Sequence, residues 1–115
     1  MDAKGNRMIK VEVLLPKKTR TNIKIDENYI KSVIERIATE EGGATSSQAP
    51  VDGLWFKKEE GRLVKDELIG FYVVISLRDR ERSIYKHLQI LKQKLEKEFA
   101  QDDIFMIAAE VQRIV

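Results

Sequence analysis

The ten residues Leu68–Leu77, LIGFYVVISL, contain no charged side chain and are rich in aromatic and β-branched types. A run of this kind is typical of a central strand whose two faces are both covered. The alternation of side chains along a strand would place Phe71 and Val73 on one face and Tyr72 and Val74 on the other. The run therefore predicts a fold built around a sheet that is buried on both sides.

The first half of the chain predicts one strand and one helix. A period-two alternation of apolar and other residues runs from Ile9 to Leu15 and stops at Pro16, as expected of a strand with one buried face. Asp26 suits the N-cap of a helix and Gly42-Gly43 suits its end. The apolar positions at helical spacing are Ile30, Val33, Ile34, Ile37 and Ala38.

The second half predicts two more strands around a second helix. Ala44–Lys58 indicates an irregular strand at a sheet edge, where Pro50 is tolerated. Lys58–Arg62 indicates a hairpin turn with Gly61 at a positive φ. A long helix capped by Asp79 or Ser83 would follow the central strand, with the apolar stripe Ile84, Leu88, Leu91, Leu95 and Phe99. Ile104–Val111 predicts the last strand.

This order of elements predicts an α+β fold, a ferredoxin-like βαββαβ plait. We expect an antiparallel four-stranded sheet in the order 4-1-3-2, with both helices on one face because crossovers are right-handed. The 115 residues fit a single domain, 1–115, with residues 1–7 disordered at its start.

The sheet face opposite the helices leads to an expectation about assembly. Tyr72 and Val74 would point to it, together with either Phe105, Ile107 and Ala109 or Met106 and Ala108. A face with this many apolar side chains is more often covered than bare. We therefore predict a homo-oligomer, a dimer or trimer, with Tyr72 and Val74 in its interface. Lys10 and Glu12 would share that face and make it a mixed surface.

Composition narrows the functional classes. The chain has 21 basic and 19 acidic residues, a net charge of +2, and no cysteine. The balance gives no broad field for nucleic acid or membrane lipid, and thiolate metal sites and disulfides are excluded. There is no apolar run long enough to span a membrane and no signal-peptide pattern at the start, so a cytoplasmic location is the default expectation.

The residues with chemical potential are few. His87 is the only histidine, and without a second histidine or a cysteine it favours a structural or surface role over a zinc site. No nucleophile motif and no phosphate-binding loop is present. We therefore predict no catalytic residue, no metal and no cofactor, and we favour a protein without enzymatic activity over an enzyme.

A ligand site is the first functional hypothesis. The irregular segment from Ala44 to Phe56 places small and aromatic residues beside the start of the central strand, so that Gly43, Thr45, Trp55 and Glu67 would lie near a bound small molecule or protein partner. The chain would then be a regulatory or binding module.

Two alternatives stay open. One is a small enzyme of the dimeric α+β barrel type, whose pocket would use His87, Tyr72 or Glu67. The other is a weak nucleic-acid-binding protein that uses the basic loop at residues 17–24.

Short matches run along most of the chain: VEVLLP at Val11–Pro16, GGAT from Gly42 to Thr45, GLW at 53–55, Gly61, Asp66-Glu67, and FAQD from Phe99 to Asp102. In these the chain resembles small uncharacterised bacterial and archaeal proteins with a ferredoxin-like fold. It is more distantly similar to the nitrogen regulatory PII and CutA-type trimers. The resemblance implies the fold, and it brings no established activity with it. It does not carry over the nucleotide binding of PII proteins, because the connection between the second and third strands is short here.

Overall fold

The computed structural model describes residues 7–42, 44–77 and 83–114, and for residues 44–57 and 64–66 it describes the backbone alone. The elements are β1 (Arg7–Pro16), α1 (Glu27–Glu41), β2 (Ala44–Lys57), β3 (Arg62–Ser76), α2 (Ile84–Glu98) and β4 (Met106–Gln112). Two helices and an antiparallel sheet confirm the α+β class. The strands lie in the order β2-β3-β1-β4, which is the predicted order counted from the other edge.

The helices cover one face of this sheet. From Met8 on, β1 alternates between half-buried and buried residues. Its buried set continues across the register into β3, where Val11 pairs with Val73 and Val13 with Phe71. Both helices contribute to the same contiguous core: Ile30, Val33 and Ile37 from α1 and Ile84, Leu88 and Leu95 from α2. Burial of such side chains contributes about 1.5–3 kcal/mol each.

The residues predicted to cap α1 and to turn the β2–β3 hairpin are confirmed. Asp26 accepts hydrogen bonds from the amides of Asn28 (2.7 Å) and Tyr29 (3.4 Å), and so caps the first turn of α1. Gly42 ends that helix with φ +87°, and Gly61 turns the β2–β3 hairpin with φ +62°. Both angles lie in the left-handed region, where a Cβ costs energy. At α2 the N-cap position is Ser83, whose side chain makes no cap hydrogen bond, whereas Asp79 lies outside the described residues.

Several element boundaries differ from those predicted. β3 begins at Arg62 instead of Leu68, because its first residues pair with β2 while β1 ends opposite Leu68. Residues 52–57 and 62–67 thus form a two-stranded extension beyond the sheet, here called the distal ribbon. β1 includes Arg7, whose carbonyl accepts from the amide of Leu77 at 3.2 Å, so the predicted disorder does not extend to Arg7.

The two edge strands also have irregularities. β2 is an edge strand, as expected for Pro50, and its register shifts between Ser46 and Pro50. β4 starts at Met106, two residues later than predicted, because the amide of Ile104 donates to the Glu96 carboxylate at 3.1 Å and is thereby kept out of the ladder.

Candidate functional site

The sheet face opposite the helices, here called the open face, carries apolar side chains from three strands. Glu12 pairs with Tyr72 on one side and Ile107 on the other, which places all three on this face. Phe105 and Ile107 are 40% and 47% exposed. Met106 and Ala108 instead pack against the helix-side core, so the structure selects the first of the two predicted sets. The open face comprises Met8, Lys10, Glu12, Leu14, Tyr72, Val74, Phe105, Ile107, Ala109 and Val111.

The charges at the centre of the open face neutralise each other. The ammonium of Lys10 lies 3.3 Å from the carboxylate of Glu12. It also lies over the Tyr72 ring, 4.4 Å from the centroid, within the range of cation–π attraction. The open face is therefore an apolar surface with one ion pair, Lys10–Glu12, at its centre.

Two of the four predicted ligand-site residues, Thr45 and Trp55, lie far apart along the β2–β3 hairpin of a single chain. The register sets Thr45 opposite Tyr72 and Trp55 opposite Val64, and at the rise of a strand these rows are about 26 Å apart. The side chains of Thr45 and Trp55 and the whole of Gly43 lie outside the described residues. Glu67 is exposed on β3, at the base of the distal ribbon. The site at these four residues stays a prediction.

A pocket of about 220 Å³ lies between α1 and β3. We call it the α1 pocket. The amide of Lys17 donates to the carbonyl of Glu67 at 3.3 Å, and its carbonyl accepts from Ile25 at 2.8 Å. This fixes the end of β1 at the pocket rim. The lining residues are Lys17, Glu27, Ile30, Lys31, Ile34, Glu35 and Ile69. Sequence reasoning missed this pocket because the charged members of α1 are those of an ordinary solvated helix face.

A wider groove of about 400 Å³ runs between the two helices, along a cluster centred on Glu98. The Glu98 carboxylate accepts from both terminal nitrogens of Arg36, at 2.5 and 3.1 Å, and from the Tyr29 hydroxyl at 2.7 Å. The hydrogen bonds from Arg36, with a smaller contribution from Tyr29, hold the pKa of Glu98 below its ordinary value. The same contact to Glu98 raises the pKa of Tyr29. This cluster joins α1 to α2.

His87 forms a second link between the helices. Its Nε2 lies 2.5 Å from Oε1 of Glu41, whose side chain is only 3% exposed, whereas that of His87 is 42% exposed. His87 lines neither the α1 pocket nor the interhelical groove. The pairing agrees with the predicted structural or surface role of this residue.

The basic loop at residues 17–24 is a short hairpin closed by a bridge between Lys18 and Lys24. Two of its cations have acidic neighbours: Arg20 contacts Asp102 at 3.0 Å, and Lys17 lies 4.0 Å from Glu27. Among the described residues, no group of three or more His, Cys, Asp or Glu could hold a metal ion. In the same part of the chain, no helix is long and apolar enough to cross a bilayer.

Comparison with known proteins yields a likeness of fold. No protein-family model and no curated protein matches the chain. A structure of phage SAM lyase in complex with S-methyl-5'-thioadenosine superposes with a TM-score of 0.62 at 12% identity, covering 95% of this chain and 91% of that one. A structure of phage SAM lyase in the apo state gives a TM-score of 0.57 at 19% identity, covering 96% and 86%. At these identities the likeness concerns the fold alone.

Proposed function

We propose that this chain is a homo-oligomeric module with a ferredoxin-like plait that binds a small molecule, and that its copies associate through the open face. The observation that carries the proposal is the exposure of Phe105 and Ile107 on that face. Large apolar side chains clustered on one side of a sheet favour a covered surface.

A second copy of the same chain is the occupant that fits this face. Lys10 and Glu12 sit side by side at its centre, so a symmetric contact brings the cation of one copy near the anion of the other. A self-complementary surface of this kind suits the isologous contact of a two-fold dimer. Because the pair is already neutral and Lys10 also contacts Tyr72, burial does not strand an isolated charge.

Assembly also supports a shared ligand site. Thr45 and Trp55 occupy distant rows of the β2–β3 hairpin, too far apart to surround one small ligand within a chain. In an oligomer, the distal ribbon of one copy reaches a neighbour and can bring such positions together. The ligand class that we propose is an adenosine bearing a sulfur substituent, because phage SAM lyase shares the fold and has been seen with S-methyl-5'-thioadenosine.

The assembly is tested by light scattering of wild type and of Ile107→Lys. The expected mass is that of a dimer or trimer for wild type and shifts toward one chain, 13.3 kDa, in the variant. Ile90→Lys is the matched control, because Ile90 is comparably exposed (44%) but lies on α2. A monomeric wild type, or an Ile107→Lys variant that keeps the wild-type mass, would refute the interface.

The ligand is tested by calorimetric titration with S-methyl-5'-thioadenosine and with SAM. Trp55→Ala and Glu67→Gln are expected to weaken binding about tenfold or more if these side chains contact the ligand, since a charge-assisted hydrogen bond contributes roughly 1.5–3 kcal/mol. Glu60→Gln, in the exposed hairpin turn, serves as control. Circular dichroism of each variant separates lost binding from lost fold. Absence of heat with both compounds would contradict this ligand class.

An enzyme that cleaves SAM is the second candidate function, favoured by the near-complete mutual coverage with phage SAM lyase. It is tested by incubating the protein with SAM and following the release of S-methyl-5'-thioadenosine by chromatography. The assay includes Glu67→Gln, because Glu67 is exposed on β3 two residues before Ile69, which lines the α1 pocket. Binding without turnover would favour the binding module, and turnover would favour the enzyme.

A further inference from the structure

The α1 pocket has an apolar floor made by three isoleucines. Ile30 and Ile34 lie one turn apart on α1, and Ile69 comes from β3. Ile34 and Ile69 are partly buried and pack against the core, whereas Ile30 is fully buried. The floor therefore belongs to the folded core of one chain and is preformed without a partner copy.

The rim of the pocket carries charges of both signs. Glu27, Lys31 and Glu35 follow one another at four-residue spacing on α1, so they share a helix face. Lys17 closes the rim from the end of β1 and lies 4.0 Å from Glu27. The four rim charges sum to zero, so the pocket favours neither a net anion nor a net cation.

Two of these charges are available to a ligand. On α2, Lys92 and Glu96 have the same order and spacing as Lys31 and Glu35, and they form an ion pair. Within the described residues, Lys31 and Glu35 have no ion-pair partner, neither each other nor a third group. A cation and an anion thus stand one helical turn apart above an apolar floor.

We propose that the α1 pocket binds a zwitterionic small molecule with an apolar side chain, of the free α-amino acid class. The carboxylate of the ligand lies toward Lys31, its ammonium toward Glu35, and its side chain on the isoleucine floor. The volume of about 220 Å³ equals roughly seven water molecules, which suits an amino acid of the size of leucine. This inference concerns a pocket within one chain and does not depend on the proposed assembly.

The test is titration of the full chain with L-leucine, followed by calorimetry and by NMR of the isoleucine methyl groups. L-leucine is expected to bind and to shift the methyl signals of Ile30, Ile34 and Ile69. N-acetyl-L-leucine lacks the ammonium and L-leucinamide lacks the carboxylate, and each is expected to bind at least about tenfold more weakly. Glycine, without an apolar side chain, is expected to bind more weakly as well.

Two variants test whether the charges of Lys31 and Glu35 contact the ligand. Lys31→Gln and Glu35→Gln are each expected to weaken L-leucine binding about tenfold, and both sites are exposed, so folding is retained. Lys86→Gln and Glu59→Gln remove like charges from exposed positions outside the pocket and are expected to bind as wild type does.

Three results would overturn the proposal. The first is the absence of any isoleucine methyl shift at the highest L-leucine concentration used in the titration. The second is binding of N-acetyl-L-leucine and L-leucinamide as tight as that of L-leucine. The third is a set of NMR shifts confined to residues away from the isoleucine floor. Titration with SAM is run in parallel, so that failure of the proposed function and failure of this pocket appear as separate outcomes.

Discussion

Removal of the Glu98 carboxylate tests whether a polar cluster holds the two helices together. Glu98→Gln keeps the shape of the side chain but removes the charge that binds Arg36 at 2.5 and 3.1 Å. The Glu98 side chain is 21% exposed and that of Arg36 is 50% exposed, so water screens part of the attraction. We therefore expect a loss of about 1 kcal/mol in the free energy of unfolding, between the values for exposed and for buried pairs.

The pKa of Glu98 determines how the stability difference between wild type and Glu98→Gln changes with pH. Because the pKa of Glu98 is lowered in the folded chain, its contribution is fully present above the unfolded pKa of about 4.3 and is lost as pH falls through the folded pKa. The difference between wild type and Glu98→Gln is thus expected at pH 7 and is expected to shrink toward pH 3.

The assay is urea unfolding at fixed protein concentration, followed by circular dichroism. Glu60→Gln is the control, since Glu60 meets a single, 68% exposed arginine, Arg62, at 2.8 Å; its effect should stay within about 0.5 kcal/mol. A Glu98→Gln variant as stable as the control at pH 7, or a difference that is unchanged at pH 3, would refute the reasoning.

Three further predictions concern the fold. Asp26→Ala removes the side-chain cap of α1 and is expected to cost about 1 kcal/mol in thermal unfolding, whereas Ser83→Ala, at a cap position without a side-chain bond, is expected to be near neutral. Gly61→Ala meets no atom within 4 Å but keeps φ at +62°, so a loss of about 1 kcal/mol in urea unfolding would be backbone strain alone; an unchanged midpoint would contradict that. Leu95→Ala empties a fully buried position and is expected to cost about 2–5 kcal/mol, measured by the same unfolding curves.

Local sequence patterns predicted most of the fold. The alternation along β1, the cap at Asp26 and the glycines at 42 and 61 are each read from a few adjacent residues, and each is confirmed. The predicted start of β3 was wrong because four of the six residues Arg62–Glu67 are charged, and this part of the strand is placed by its pairing with β2. Hydrophobic periodicity does not reveal a strand segment that is held mainly by backbone pairing with its neighbour.

The polar contacts between elements could not be predicted in the same way. Glu98 meets Tyr29 and Arg36 across 69 and 62 residues of sequence, and His87 meets Glu41 across 46. Charged residues at helical spacing look alike whether they face water or a neighbouring helix. The α1 pocket could not be predicted from the sequence either, because its rim residues come together only when α1 packs against β3.

The run Leu68–Leu77 connects the fold to the proposed assembly. Its helix side is buried within the chain, where Phe71, Val73 and Ile75 are at most 4% exposed, while Tyr72 and Val74 on the other side stay half-buried. Covering the remaining exposed area of Phe105 and Ile107 would contribute roughly 1 kcal/mol for each side chain. In the proposed oligomer, apparent stability must therefore rise with protein concentration, and a midpoint of unfolding that is independent of concentration would argue for a bare open face.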